Sequence, residues 1–190
     1  SGSSRPAKWG AGVWVEPYLA ALLHEIEACA EMAREMGLHI RVGYIGGGPP
    51  SSLTTPQLDR LLAHVERHFG ALAEFTVEAG RPDTLDAQKL HMLRDHPVTR
   101  ISINPQTMND ATLTRIGRAH TAKQTVEAYE LARSIGFDDI NMDVIAALPG
   151  EDYAMFAHTL AEIRRLRPES LTVHKPAIKR STRPHAGTSA

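Results

Sequence analysis

Residues 100–106 read RISINPQ, a run in which apolar and polar side chains alternate. Successive side chains of a β-strand point to opposite faces. Ile101 and Ile103 therefore share one face of the predicted strand, and Ser102, Asn104 and Gln106 share the other. The first face is suited to a hydrophobic core, and the second is suited to water or to a polar ligand.

The same two-faced pattern recurs in three other segments. Residues 75–78 read FTVE, residues 140–144 read INMDV and residues 171–174 read LTVH. A doubly wound sheet is apolar on both faces, and a closed small barrel fills its interior with aliphatic side chains. The pattern instead favours an incomplete, wider β/α barrel with a polar concave face. The alternative is an ordinary core in which these polar groups bond one another or water.

Helical and strand patterns alternate along the chain. Strands are predicted at residues 39–45, 74–79, 100–106, 140–148 and 171–177. Helices are predicted from Pro17 to Gly37, after a cap at Thr54 or Thr55, and at residues 84–95, 110–116, 122–134 and 153–166. Such alternation predicts an α/β fold with about five parallel strands joined by right-handed crossovers.

Composition narrows the class of protein. The 190 residues are 42% hydrophobic, and 21 Lys and Arg nearly balance 22 Asp and Glu, for a net charge of −1. One globular domain is expected. Because the charges nearly cancel, no net positive charge favours binding to nucleic acid or to an anionic membrane. We expect a linker or tag-like segment at residues 1–14, a core at 15–180 and a disordered tail at 181–190. The chain is expected to be a fragment of a cytoplasmic protein.

Three candidate binding features stand near the predicted ends of strands. The glycine loop, Gly46–Gly47–Gly48, allows a ligand to approach the backbone closely, although a tight structural turn explains it equally well. Glu78 and Asp143 suit ribose hydroxyls or an amino group, with stabilising salt bridges as the alternative. Arg118 suits two-pronged binding of a carboxylate, with a solvated surface position as the alternative.

Two further features are interpreted as structural. His64 and His68 have the helical spacing of two metal ligands, but they lie beside an apolar stripe and no third ligand is evident. We therefore predict no metal site. Cys29 is the single cysteine, which excludes an internal disulfide. It is predicted to be a small core residue rather than a nucleophile.

A set of short motifs, in this order and spacing, resembles the radical S-adenosylmethionine (SAM) enzymes, in the branch of the oxygen-independent coproporphyrinogen III dehydrogenases. The motifs are YIGGGPP at 44–50, FTVEA at 75–79, RISINPQTMN at 100–109, INMD at 140–143, LPG at 148–150, and LTVH at 171–174 with IKR at 178–180. The resemblance covers about residues 15–180. It implies a partial barrel of the radical SAM type whose first strand is missing from this chain.

The resemblance implies a methionyl pocket around the glycine loop. Gly47 and Gly48 would receive the methionyl amino group of SAM, and Glu78 would line the same pocket. Arg118 would hold the methionyl carboxylate.

The resemblance also implies an adenosyl pocket and a chemistry. Gln106 and Asp143 would bond the ribose hydroxyls, and Ala177 would lie near the adenine. A [4Fe–4S] cluster would cleave the sulfonium reductively, and the resulting 5′-deoxyadenosyl radical would begin the oxidative decarboxylation of coproporphyrinogen III propionates in haem biosynthesis. The implied partner is thus a tetrapyrrole-like small molecule.

Two departures from the family pattern shape the expectation for this chain. The family's three-cysteine cluster loop is absent, so the fragment alone is expected to be inactive. Pro49 stands where the family usually has threonine. A haem-binding chaperone of the same family and a scaffold domain without a cluster remain as alternatives. The missing first strand would expose a sheet edge at residues 39–45, so self-association is expected.

Overall fold

The computed structural model describes residues 11–47, 50–80 and 82–176, with the side chains of residues 11–13 left aside. One sheet contains five parallel strands: β1 (Val42–Ile45), β2 (Glu74–Gly80), β3 (Arg100–Gln106), β4 (Ile140–Ile145) and β5 (Ser170–His174). The helices are α1 (Ala11–Glu35), α2 (Thr55–Phe69), α3 (Ala87–Asp95), α4 (Asp110–Arg115), α5 (Ala122–Ile135) and α6 (Tyr153–Leu166). Two short 3₁₀ turns lie at Pro50–Ser52 and Pro82–Thr84.

The strand order distinguishes between the architectures that the sequence left open. The strands follow one another in the sheet as β1-β2-β3-β4-β5. A doubly wound sheet reverses its strand order at a switch point, whereas a barrel adds each strand beside the previous one. The predicted α/β fold with about five parallel strands in an open barrel is therefore confirmed.

The apolar side chains of the central strands form the core beneath the helices. Phe75, Val77, Ile101, Ile103 and Met142 are all buried in this cluster. The apolar stripe of α2 joins the same cluster through Leu58, Leu61, Leu62 and Val65. Helix α2 begins after Thr54, whose hydroxyl accepts the Gln57 N–H while the Gln57 side chain accepts the Thr54 N–H. This reciprocal cap fixes where the chain turns after the glycine loop.

Several predicted boundaries were wrong. Helix α1 begins at Ala11, so Pro17 lies inside the helix, where it removes one backbone donor. Helix α3 begins at Ala87, because the Asp86 carboxylate caps it at the Lys89 N–H. Strand β4 ends at Ile145, since Ala147 has a left-handed φ of 60°.

Two further expectations concern the helices and the chain ends. Cys29 is exposed on α1, so its predicted place in the core was wrong. Residues 1–10 and 177–190, which include most of the predicted linker and all of the predicted tail, lie outside the described residues. Among the described helices, none combines the length and apolarity that crossing a bilayer requires.

Candidate functional site

The register between strands aligns polar residues in one row across the sheet. Glu78 lies opposite Ser102, Ser102 lies opposite Asn141, and Asn141 lies opposite Ser170. Residues that pair directly across neighbouring strands share a face of the sheet. The polar face predicted from the alternation is therefore confirmed across β2, β3, β4 and β5.

A chain of hydrogen bonds begins at the glycine loop and crosses β2 and β3. The backbone N–H of Gly47 donates to Glu78 Oε2 at 3.2 Å. The amide of Asn104 donates to the other carboxylate oxygen, Glu78 Oε1, at 2.9 Å. Ser102 Oγ donates in turn to Asn104 Oδ1 at 2.9 Å. Glu78 thus joins the loop after β1 to the polar row of β3.

Asn141 continues this chain across β4 and β5. Its amide nitrogen donates to Ser102 Oγ at 3.0 Å and to Asp143 Oδ1 at 2.6 Å. Its amide oxygen accepts the hydroxyls of Ser170 at 2.9 Å and Thr172 at 3.2 Å. Both N–H donors and both oxygen lone pairs of this amide side chain are therefore engaged within the protein. Asn141 connects the Glu78 end of the row to Asp143.

The direction of these bonds determines what the face offers to a ligand. The amides of Asn104 and Asn141 donate to the two carboxylates of this hydrogen-bond chain, Glu78 and Asp143. Within the described part of the chain, Asp143 Oδ2 accepts no hydrogen bond, and it lies 3.9 Å from Nε2 of His174. A face that presents carboxylate oxygens suits hydroxyl and ammonium groups rather than anions.

A cavity of about 380 Å³ lies over this polar face. Each of the five strands contributes to its lining, through Tyr44, Thr76, Ser102, Asn141 and Thr172. This volume falls within the range of small-molecule sites in proteins. The concave side of the sheet therefore holds the candidate ligand site.

The glycine loop is shaped by close approach to β1 and β2. A Cβ added at Gly46 would lie 2.3 Å from Cε1 of Tyr44 and 2.8 Å from Oε2 of Glu78, so a side chain there would displace the Glu78 carboxylate. Gly47 has a φ of 108°, which favours glycine, and an added Cβ would meet no atom within 4 Å. The predicted role for Gly48 and the unusual Pro49 lie outside the described residues.

Gln106 does not follow the simple alternation that put it on the polar face. A register shift occurs between Ile103 and Gln106, and Gln106 lies opposite Val144, a buried residue of β4. Gln106 is itself buried and has a φ of 67°, which is uncommon for a residue with a side chain. The alternation ends here because the bulge inserts an additional residue on β3.

Arg118 and Ala177 are not brought into the hydrogen-bond chain. Arg118 lies after α4, half-buried, and its backbone N–H donates to the carbonyl of Leu113. Within the described residues, its guanidinium forms no hydrogen bond or ion pair, so all of its donors are available to an anion. Ala177 lies outside the described residues. Of the predicted set, the structure therefore joins Gly47, Glu78 and Asp143.

Tyr44 is a site residue that the sequence reasoning missed. It lies opposite Thr76 in the register of β1 with β2 and lines the same cavity. Desolvation raises the pKa of the Tyr44 hydroxyl above its usual value, and the negative charges of Glu78 and Asp143 raise it further. The phenol is therefore held in its protonated form and remains a hydrogen-bond donor. The position of Tyr44 two residues before Gly46 was the available signal.

The two histidines of α2 are engaged with the protein. His64 Nε2 lies 3.0 Å from the carbonyl oxygen of Leu23 on α1, and the rings of His64 and His68 are 4.5 Å apart between centroids. The contact between His64 and Leu23 joins α1 to α2.

The sheet and its polar face define an open β/α barrel with a candidate ligand site on the concave side and the glycine loop at its rim. The chain belongs to the Radical SAM superfamily, whose family model matches residues 17–163. The structure of coproporphyrinogen III oxidase from Escherichia coli, described as a radical SAM enzyme, superimposes with a TM-score of 0.79. Its sequence is 29% identical, over 88% of this chain and 38% of that chain.

Relatives with two different names match almost the same region. The oxygen-independent coproporphyrinogen-III oxidase-like protein HemZ of Bacillus subtilis is 43% identical over 171 residues, which are 88% of this chain and 34% of the relative. The heme chaperone HemW of the same organism is 35% identical over 171 residues, or 44% of its own length. The chain thus spans between one third and one half of the length of these relatives.

The residues present fit SAM but not the cluster. The family uses SAM and a [4Fe–4S] cluster. The oxygen-rich face, the space beside Gly47 and the available guanidinium of Arg118 match the hydroxyls, ammonium and carboxylate of SAM. Such a cluster is held by several cysteine thiolates. This chain has one cysteine, Cys29, exposed on α1, so its 190 residues do not supply a ligand set.

Proposed function

We propose that this chain forms the SAM-binding core of a radical SAM enzyme that acts on the propionate side chains of a porphyrinogen. The observation that carries the proposal is the hydrogen-bond chain from Gly47 through Glu78 to Asp143, which crosses β2, β3 and β4. It connects the two positions at which the opposite ends of one charged nucleoside are expected to bind.

The methionyl end of SAM is assigned to the glycine loop. The Gly47 N–H is already donated to Glu78 Oε2, so this glycine offers its carbonyl oxygen to the methionyl ammonium. Glu78 supplies the compensating negative charge, and the family resemblance assigns Gly48 to the same ammonium. Arg118 binds the methionyl carboxylate, for which its guanidinium, unpaired among the described residues, has the matching two-pronged geometry.

The adenosyl end is assigned to the carboxyl ends of β3 and β4. Asp143 Oδ2 accepts a ribose hydroxyl, while Asn141 holds the other carboxylate oxygen in place. Gln106 contributes its amide to the second hydroxyl from the bulge at the end of β3. The family resemblance assigns Ala177 to the adenine. SAM bound beside a reduced cluster would supply the radical chemistry that abstracts a hydrogen atom from the substrate.

A calorimetric titration with SAM tests the assignment. It uses the full-length gene product that contains these residues, reconstituted with iron and sulfide. Saturable binding is expected, with at least a roughly tenfold loss of affinity in D143A, since a charged acceptor of a ligand hydroxyl is removed. Absence of binding, or unchanged affinity in D143A, contradicts the proposal. Consumption of coproporphyrinogen III with release of carbon dioxide then tests the substrate class.

A second candidate function is a haem-binding chaperone. It is supported by the similarity to the heme chaperone HemW of Bacillus subtilis. A haem titration of the same protein, followed by its Soret absorption, separates the two functions. Stoichiometric haem binding without decarboxylation supports the chaperone, and decarboxylation supports the enzyme.

A self-associated form is also proposed, through the edge strand β1. Within the described residues β1 has one neighbour, β2, and Val42 on this edge is 61% exposed. An exposed edge with apolar side chains is a template for pairing with another chain. The cytoplasmic location expected from the sequence stays a prediction.

A further inference from the structure

Lys89 is a buried lysine close to the glycine loop that the proposed function does not use. It lies in the first turn of α3 and is 8% exposed. Its ammonium donates to the backbone carbonyl of Ser51 at 2.6 Å and to that of Thr84 at 3.4 Å. Lysine is rarely buried to this extent, because removing its charge from water is costly.

The two carbonyls belong to the loops that follow neighbouring strands. Ser51 lies in the 3₁₀ turn after the glycine loop, and Thr84 lies in the 3₁₀ turn after β2. Their side chains are also joined, since Thr84 Oγ1 donates to Ser51 Oγ at 2.6 Å. Ser51 and Pro82 are buried, so the two turns are packed against the body of the protein.

Burial lowers the pKa of the Lys89 ammonium, and the nearby Asp86 carboxylate partly offsets this effect. Asp86 Oδ1 accepts the Lys89 backbone N–H at 2.7 Å and caps α3. Within the described residues, the hydrogen bonds of the ammonium go to main-chain oxygens of two separate loops. By bonding to both carbonyl oxygens, the Lys89 ammonium holds the turn at Ser51 and the turn at Thr84 at a fixed separation.

We propose that Lys89 is a positioning residue that holds the glycine loop at a fixed distance from β2, so that Gly47 and Glu78 together receive the methionyl end of SAM. The inference rests on the proposed function. It predicts that loss of Lys89 affects the methionyl half of the site and leaves the adenosyl half intact.

Two nucleosides distinguish the methionyl half of the site from the adenosyl half. SAM has groups that bind in both halves, whereas 5′-methylthioadenosine lacks the methionyl amino and carboxyl groups. In K89M, SAM affinity is expected to fall about tenfold, corresponding to about 1.4 kcal/mol, while the affinity for 5′-methylthioadenosine changes less than about twofold. A simple Coulombic effect has the opposite sign, because removing a positive charge strengthens the binding of a cationic ligand.

The matched control is T159V. Thr159 is fully buried on α6, accepts the Met108 N–H at 3.1 Å and thereby supports the turn beside Gln106. Because that turn serves the adenosyl half, T159V is expected to weaken both nucleosides equally. T84V removes the hydroxyl bond between the two turns without changing Lys89, and it is expected to show the selectivity of K89M in a smaller form if K89M does not fold.

Calorimetry on the reconstituted full-length gene product, with melting temperatures for each variant, decides the matter. Selective loss of SAM affinity in K89M or T84V supports the inference. Equal loss for both nucleosides, or no loss, overturns it while the proposed function stands. If the wild type binds neither nucleoside, the proposed function fails and the positioning role fails with it.

Discussion

Glu78 and Gly47 are joined by a hydrogen bond of 3.2 Å from the backbone N–H of Gly47 to Oε2 of Glu78. The bond ties the loop after β1 to the polar end of β2. Any ligand that uses the glycine loop therefore also meets a carboxylate whose position is set by that loop.

Replacing Glu78 with glutamine tests this relationship. E78Q removes the negative charge, and an amide NH₂ directed at Gly47 would oppose another donor. SAM affinity is expected to fall about tenfold or more in calorimetry. E169Q is the matched control, because Glu169 also accepts a backbone N–H, from Ile140 at 2.9 Å, but at the other end of the sheet. Equal losses in the two variants would exclude a specific role for Glu78.

Gly46→Ala probes the close approach at the loop. The added Cβ would lie within 3 Å of Tyr44 Cε1 and Glu78 Oε2, both of which are side-chain atoms that can move. The free energy of unfolding is expected to change by less than about 1 kcal/mol, while SAM affinity falls because the carboxylate is displaced. Urea unfolding and calorimetry measure the two quantities. Wild-type affinity in G46A contradicts the assigned geometry.

Asn141→Ala probes the centre of the hydrogen-bond chain. The substitution leaves Ser102, Ser170 and Asp143 without a shared partner, and an unsatisfied polar group in a protein interior costs about 1–3 kcal/mol. Urea unfolding is expected to show a loss of this size. S134A is the control, because Ser134 is bonded only to Leu131 O on the exposed side of α5, and its loss is expected to stay within about 0.5 kcal/mol.

The pH dependence of stability is predicted at Glu169. Although burial alone raises its pKa, the bonds from Arg133 and from the Ile140 N–H lower the pKa below the usual value of 4.5. The folded state therefore binds this proton less readily than the unfolded state. The resulting stability is present above pH 4.5 and is lost as the pH falls through the lowered value.

Urea unfolding of wild type and E169Q between neutral and acidic pH measures this contribution. The difference between the two proteins is expected to be largest at neutral pH and to shrink below pH 4.5. A difference that stays constant across this range shows that Glu169 does not titrate with folding.

Self-association through β1 is expected to depend on concentration. Sedimentation velocity of the 190-residue chain is expected to show a rising weight-average mass, and V42K is expected to lower it, since a lysine on an edge strand discourages pairing. A monomer at high concentration refutes the proposal. An L171K variant on the opposite edge strand, β5, serves as the control.

The period-two alternation predicted the polar face, because strand geometry leaves no freedom in where successive side chains point. The prediction failed at Gln106, because a bulge after Ile103 changes the register between β3 and β4. Nothing in the alternation of apolar and polar residues indicates where a bulge inserts an additional residue. The position of Asn141 at the centre of the chain also required coordinates. Which of several neighbouring amides and hydroxyls bond one another depends on distances between strands.

Helix boundaries were predictable where a side chain caps the first turn. Thr54, Thr121 and Asp152 each accept a backbone N–H at the start of α2, α5 and α6. The start of α1 was missed because proline at Pro17 was treated as an opening signal. Pro17 instead lies inside α1, a position that proline rarely occupies, so its presence pointed to a later start.

The sequential strand order has an evolutionary consequence. Within the described residues, β1 and β5 each have a single neighbour, and Leu171 and Val173 on β5 are exposed. A sheet with two open edges can gain further strands without changes in its hydrophobic core. Sheets of this kind can thus differ in width while keeping the polar row of Glu78, Ser102 and Asn141.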